Sequence, residues 1–68
     1  MIINVTASHI TKGKRGNSEK CPVGLALAEH GLNVGYVKMS YETKLLVYGF
    51  MEDFDKQREV QPFSFEVE

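Results

Sequence analysis

Apolar and polar residues alternate at both ends of the chain. From Ile2 to Ser8 the apolar side chains fall at every second position, which places them on one face of a β-strand. The same alternation runs from Phe63 to Val67. Pro62 and the glutamates beside these residues are typical of an edge strand, because proline lacks a ladder donor and charge discourages further pairing. The pattern predicts one strand at each end.

A helical spacing follows a polar, glycine-containing loop over residues 11–20. Residues recur at i, i+3, i+4 and i+7 on one helical face, namely Val23, Ala26, Leu27 and His30. Pro22 suits the first helical position with Cys21 as the N-cap, and Gly31 suits a left-handed stop. These features predict a short helix from Pro22 to His30. Because so short a helix is marginal alone, we expect it to pack against a sheet.

The middle of the chain is rich in strand-favouring residues. Segments 34–41 and 44–50 are separated only by Glu42 and Thr43, which predicts a β-hairpin. The acidic segment 51–58 predicts a turn or two of helix. The expected fold is therefore a single α+β domain over residues 1–68, in the order β-α-β-β-(short helix)-β. Its sheet is mostly antiparallel, with one short helix packed on it.

Composition narrows the class of protein. The 68 residues are 43% hydrophobic and 25% charged, which excludes a disordered tail. Apolar runs are too short for a transmembrane helix, and no signal peptide is apparent at the start. The single cysteine forms no internal disulfide, and no residue spacing suggests a metal site or a cofactor. A small chain without a disulfide or a structural metal often self-associates, so we expect a homo-oligomer, most simply a symmetric dimer.

The formal net charge of −1 conceals two charged regions. The segment from His9 to Lys20 contains four basic residues and one acidic residue, a local charge of +3. The segment from Glu52 to Glu68 contains six acidic and two basic residues, a local charge of −4. The near-neutral total disfavours direct nucleic-acid binding, which relies on basic surfaces. The segregation instead predicts one basic loop and one acidic C-terminal surface.

The basic loop leads directly into the predicted helix N-terminus, where free backbone N–H groups and the helix dipole favour anions. Glycines would let the backbone wrap closely around a phosphate, and lysine or arginine side chains would bind its oxygens. The candidate ligand-binding residues are His9, Lys12, Gly13, Lys14, Arg15, Cys21, Pro22 and Val23. The loop does not have the P-loop spacing. The alternative interpretation is a solvated loop whose lysines only maintain solubility.

Catalysis has weaker support. Cys21 at a helix N-terminus and His9 are the residue types of a nucleophile–base pair. No third group that would orient such a pair can be named, and a buried or capping role explains Cys21 more simply. We therefore predict that the protein is not an enzyme and has no catalytic or metal-ligating residues.

Four segments carry a family resemblance: His9–Gly13 (HITKG), Cys21–Ala26 (CPVGLA), Phe54–Asp55 (FD) and Val60–Glu66 (VQPFSFE). They resemble a family of small uncharacterised proteins encoded mainly by bacteriophages. The resemblance implies a viral origin and a cytoplasmic setting in the host cell, with no assigned activity.

Two functional hypotheses remain. The leading one is a non-enzymatic protein that binds a phosphate-bearing small molecule, such as a nucleotide or a cyclic nucleotide signal, and sequesters a host defence signal. The alternative is a protein–protein inhibitor of a host factor that acts through the acidic C-terminal surface. The first depends on the basic loop and the second does not.

Overall fold

Strands from opposite ends of the chain pair in an antiparallel two-stranded sheet. The computed structural model describes all of residues 1–68. Strand β1 (Ile2–Val5) pairs with β2 (Phe63–Glu66), with Ile3 opposite Phe65. Between the strands lie three helices, which are α1 (Ala7–Lys12), α2 (Pro22–Ala28) and α3 (Tyr41–Asp55). The protein is a small α+β domain, as the sequence predicts.

The core lies between the inner face of the sheet and the helices. Ile3 and Phe65 point inward from the strands. Helix α2 contributes Leu27, and α3 contributes Val47 and Phe54. All five side chains are buried. None of the three helices combines the length and apolar character that crossing a membrane requires.

Helix α2 confirms the helix predicted from Pro22, although it ends two residues before the predicted His30. Cys21 is its N-cap. Gly31 has a φ of +70°, and the Leu32 N–H donates to the Leu27 carbonyl at 3.0 Å. This hydrogen bond is that of a Schellman motif, which ends the helix with Gly31 in the left-handed conformation.

The first strand ends at Val5, and the predicted continuation to Ser8 is wrong. Thr6 is the N-cap of α1, and its hydroxyl accepts from the His9 N–H at 3.3 Å. In return, His9 Nδ1 accepts from the Thr6 N–H at 3.0 Å. This reciprocal capping box satisfies two free N–H groups and turns the chain into a helix. Histidine occupies the place where glutamate or glutamine is usual.

The predicted hairpin over 34–50 is also wrong, because residues 41–55 form one helix. Ser40 begins it, since its hydroxyl accepts from the Thr43 N–H at 3.2 Å. Glu42 and Thr43 offer no residue suited to the positive φ of a tight hairpin turn. Residues 34–36 form a turn and residues 37–40 have no regular secondary structure, so no strand is present there. The short helix predicted at 51–58 is the end of α3. The element order is therefore β-α-α-α-β.

Candidate functional site

The His9 ring is almost fully buried, and protein groups engage both of its nitrogens. Besides the bond from Thr6, Nε2 lies 3.0 Å from Glu29 Oε1. Because Nδ1 accepts a hydrogen bond, the neutral ring carries its proton on Nε2, the nitrogen that lies beside the Glu29 carboxylate. His9 therefore ties α1 to the residue that follows α2.

Arg15 fixes the basic loop to the C-terminal end of α3. Its Nε donates to the Phe54 carbonyl at 3.0 Å, and its guanidinium carbon lies 4.9 Å from the centre of the Phe54 ring. The Gly16 N–H donates to Asp55 Oδ1 at 3.0 Å. A cation at a helix C-terminus is favoured by the dipole, and the ring adds a cation–π contact. Arg15 thus has structural partners within the chain.

The loop closes on itself at its base. The Lys14 N–H donates to the Lys20 carbonyl at 2.9 Å. Gly13 packs against Pro22 so closely that a Cβ there would lie 2.6 Å from Pro22 Cδ. The structure therefore places Gly13 against Pro22, with the backbone of Lys14 bonded beside them at the base of the loop.

The N-terminus of α2 lies beneath the loop. Cys21 Sγ accepts from the Gly24 N–H at 3.4 Å and donates to the Ser18 carbonyl at 3.5 Å. Cys21, Pro22 and Val23 are buried. The side chains of these residues pack into the core, and the loop backbone covers the first turn.

Three lysines of the loop region remain at the surface: Lys12, Lys14 and Lys20. The contacts between carboxylates and basic side chains are His9–Glu29, Lys56–Glu52 and Arg58–Asp53. None of the three lysines has a carboxylate partner, so their charges are uncompensated within the chain. No group of three or more histidine, cysteine or acidic side chains is arranged to hold a metal ion.

A second surface, which the sequence analysis missed, lies on α3. Its outward-facing residues follow a 4-3-4 spacing, and we call them the outer seam: Tyr41, Leu45, Tyr48 and Glu52. The core-facing residues follow the same spacing two positions later: Thr43, Val47, Phe50 and Phe54. The three apolar members of the outer seam are 74%, 58% and 51% exposed in chain order. Helix α3 is therefore apolar on two opposite sides, of which the fold buries one.

An apolar groove, here the α3 groove, runs beside the outer seam. It is a cleft of about 440 Å³ between α3 and the segment before β2. Its apolar lining includes Leu45, Leu46, Phe50, Val60 and Phe63, with Gly49 between them. The Phe50 and Phe63 rings form one wall, with their centres 4.7 Å apart. Nothing lies within 4 Å of the position that a Gly49 Cβ would take, so the groove is open there.

Acidic side chains border this surface. Asp53 and Glu59 line the α3 groove, and Glu52 ends the outer seam. Lys56 Nζ lies 2.7 Å from Glu52 Oε1, and this hydrogen bond together with the lysine charge lowers the pKa of Glu52 below its ordinary value of 4.5. The segment from Tyr41 to Glu59 contains five acidic and three basic residues, a net charge of −2. The surface is apolar at its centre. Its rim combines Glu59 with the pairs Glu52–Lys56 and Asp53–Arg58, so that acids exceed bases there.

Comparison of the chain with known proteins gave no match to a family model, a curated protein or a solved structure. The resemblance to small bacteriophage proteins stays a prediction.

Proposed function

We propose that this protein is a non-enzymatic binding protein that docks onto another protein through the outer seam and the α3 groove. The observation that carries this proposal is the exposure of four large apolar side chains on one helix: Tyr41, Leu45, Leu46 and Tyr48. Contiguous exposed apolar surface, especially with a polar rim, marks interaction sites in soluble proteins. Tyrosine is also enriched at such interfaces.

Gly49 supports the same proposal. Glycine inside an exposed helix is about 1 kcal/mol less favourable than alanine. No contact within the chain requires glycine at this position, since the space beside its Cα is empty. A partner that enters the α3 groove gives this glycine a purpose.

The acidic rim supplies specificity. Charge complementarity across an interface guides encounter and suppresses wrong partners more than it adds affinity. The rim therefore selects a partner whose apolar contact surface is bordered by basic residues. This proposal shares its class of function with the predicted protein–protein inhibitor, but it places the contact on the apolar face of α3 and leaves the acidic C-terminal surface only the rim.

Site-specific photo-crosslinking in the source cells tests this proposal. A photoreactive residue at Leu45 is expected to give a discrete adduct, whereas one at the exposed Thr11 of α1 is not. Leu46→Glu should abolish the Leu45 adduct, while Thr11→Glu, which adds the same charge elsewhere, should leave it. Circular dichroism confirms that both variants fold. Absence of any adduct from Leu45, or equal adducts from both positions, would contradict the proposal.

A second candidate function is binding of a phosphate-bearing small molecule by the basic loop. The observation that favours it is the set of uncompensated cations at Lys12, Lys14 and Lys20. Calorimetry against nucleotides and cyclic nucleotides tests it, with Lys14→Ala/Lys20→Ala as the variant. Arg15 is left intact because it holds the loop to α3. Binding that the double variant loses supports this candidate. No binding, or equal heats for both proteins, contradicts it.

A further inference from the structure

We infer that the partner element that occupies the outer seam and the α3 groove is an amphipathic helix with basic flanks, an inference that rests on the proposed function. Three features of α3 point to this occupant: the spacing of the seam, the gap at Gly49 and the sign of the rim charge.

The spacing indicates a helix. Steps of 4, 3 and 4 residues are the spacing of the apolar seam through which two helices pack side by side. The seam extends over three turns, about 16 Å, which matches the contact length of a short helix. An amphipathic helix laid into an apolar groove is a common mode of peptide recognition.

The gap at Gly49 provides the close approach. Gly49 stands one turn after Leu45 and one turn before Asp53, so the row of side chains is interrupted at its centre. Helices pack when side chains of one fill the spaces between side chains of the other. One apolar anchor of the incoming helix fits into this space, between Leu45 and the ring of Phe50.

The charge distinguishes a foreign helix from a second copy of this chain. A second copy would bring its own segment from Tyr41 to Glu59, with the same net charge of −2, against the first, so the two surfaces would repel. A helix with lysine or arginine beside its apolar stripe instead places cations near Asp53 and Glu59. The observations therefore favour a basic helix over self-pairing.

Three synthetic probes of about 20 residues, long enough to be helical, test the inference. The first carries leucine at seam positions flanked by lysine and arginine. The second replaces these cations with glutamate. The third is the basic probe with a central proline, which breaks the helix. Fluorescence anisotropy with the full chain at about 0.15 M salt avoids exaggerating surface charge.

We expect the basic helical probe to bind, and the acidic and proline probes to bind about tenfold more weakly or less. Leu45→Glu and Gly49→Leu should each weaken binding of the basic probe by about tenfold or more, because they place a charge in the seam and fill the gap. Thr11→Glu should leave it unchanged. Equal binding of all probes, or a basic probe that is indifferent to both groove substitutions, would overturn the inference.

Crosslinking at Leu45 distinguishes failure of this inference from failure of the proposed function. If a partner is captured there and the probes show no preference for a basic helix, the inference fails and the proposed function stands. If Leu45 captures a second copy of this chain, the occupant is the chain itself and the inference is overturned. If Leu45 captures nothing, both fail.

Discussion

Side chains that could bind a ligand use their polar groups for contacts within the fold instead. His9 and Arg15 belong to the predicted phosphate site, and both side chains make contacts within the chain. The His9 ring closes a capping box on one nitrogen and meets Glu29 with the other. The Arg15 guanidinium holds the loop against Phe54. The sequence marks these residues as important, but only the folded contacts show that they stabilise the structure.

His9→Ala is expected to lower the free energy of unfolding by about 1–3 kcal/mol, because it leaves the Thr6 N–H without its acceptor and removes the contact with Glu29. Urea unfolding measures the change. His9→Gln should recover part of the loss, since glutamine at this position also forms a capping box. His30→Ala, at an exposed position, is the control and should stay within about 0.5 kcal/mol of the wild type. Equal losses for His9→Ala and His30→Ala would refute the role assigned to the ring.

Arg15→Ala should destabilise the protein by about 1–2 kcal/mol, since it removes one hydrogen bond and one cation–π contact. Its neighbour provides a matched control, because Lys14 has the same sign and is also exposed but has no side-chain partner. Lys14→Ala is expected to change stability by no more than about 0.5 kcal/mol. Thermal unfolding of both variants decides the point. The interpretation fails if the two substitutions have the same effect.

At the scale of elements, α3 explains why the hairpin prediction was wrong. Its two apolar seams lie on opposite sides of one helix and are offset by two residues. Read along the chain, Leu46 of the α3 groove, Tyr48 of the outer seam and Phe50 of the core-facing side give apolar residues at every second position, which is the alternation of a strand. A helix that presents apolar residues to its core and to solvent thus imitates a β pattern. The same interpretation concealed the outer seam, because it assigned these side chains to the core of a sheet.

The same substitution, glycine to alanine, should act in opposite directions on two helices. Gly49→Ala is expected to raise the free energy of unfolding by about 0.5–1 kcal/mol, because its added methyl meets nothing and alanine favours the helix. Gly24→Ala should lower it by more than about 1 kcal/mol, because a Cβ there would lie 2.4 Å from the Ser18 carbonyl oxygen. Parallel urea titrations test both. A stabilising Gly24→Ala would show that the loop does not cover α2 as described.

The Glu52–Lys56 pair should give α3 a small pH dependence. Because the pKa of Glu52 is lowered in the folded state, the pair stabilises the protein at pH values above the unfolded-state pKa. That contribution is lost as the pH falls through the folded-state pKa. In Lys56→Gln, carbon-13 NMR titration should show the pKa of Glu52 rising toward its ordinary value. Arg58→Gln is the control, since the larger causes of the shift both come from Lys56. Equal shifts in both variants would contradict this assignment.

At the scale of the whole molecule, the sequence predicts what local signals determine and misses what depends on distant contacts. The alternation at Ile3 and Phe65 predicts both strands, and the cap at Cys21 predicts the start of α2. The docking of the basic loop on α3 joins residues 39 positions apart, and no local pattern encodes it. Similarly, nothing near Tyr41 indicates whether its side chain faces the core or solvent.

The outer seam leads to a prediction about the molecule as a whole, because its side chains are exposed and a binding role does not require them to stabilise the fold. If the seam serves a foreign partner, the chain folds without it. Leu45→Gln should then leave the free energy of unfolding within about 0.5 kcal/mol of the wild type, since the side chain is exposed. Val47→Ala, two residues away and fully buried, should cost about 1.5–3 kcal/mol.

The homo-oligomer expected from the small size of the chain makes the opposite prediction. If α3 paired with a second copy, Leu45→Gln would destabilise the protein, and the unfolding midpoint of the wild type would rise with protein concentration. Urea unfolding of all three proteins at concentrations about a hundredfold apart, with sedimentation equilibrium on the same samples, decides between the two, because only mass action makes stability depend on concentration.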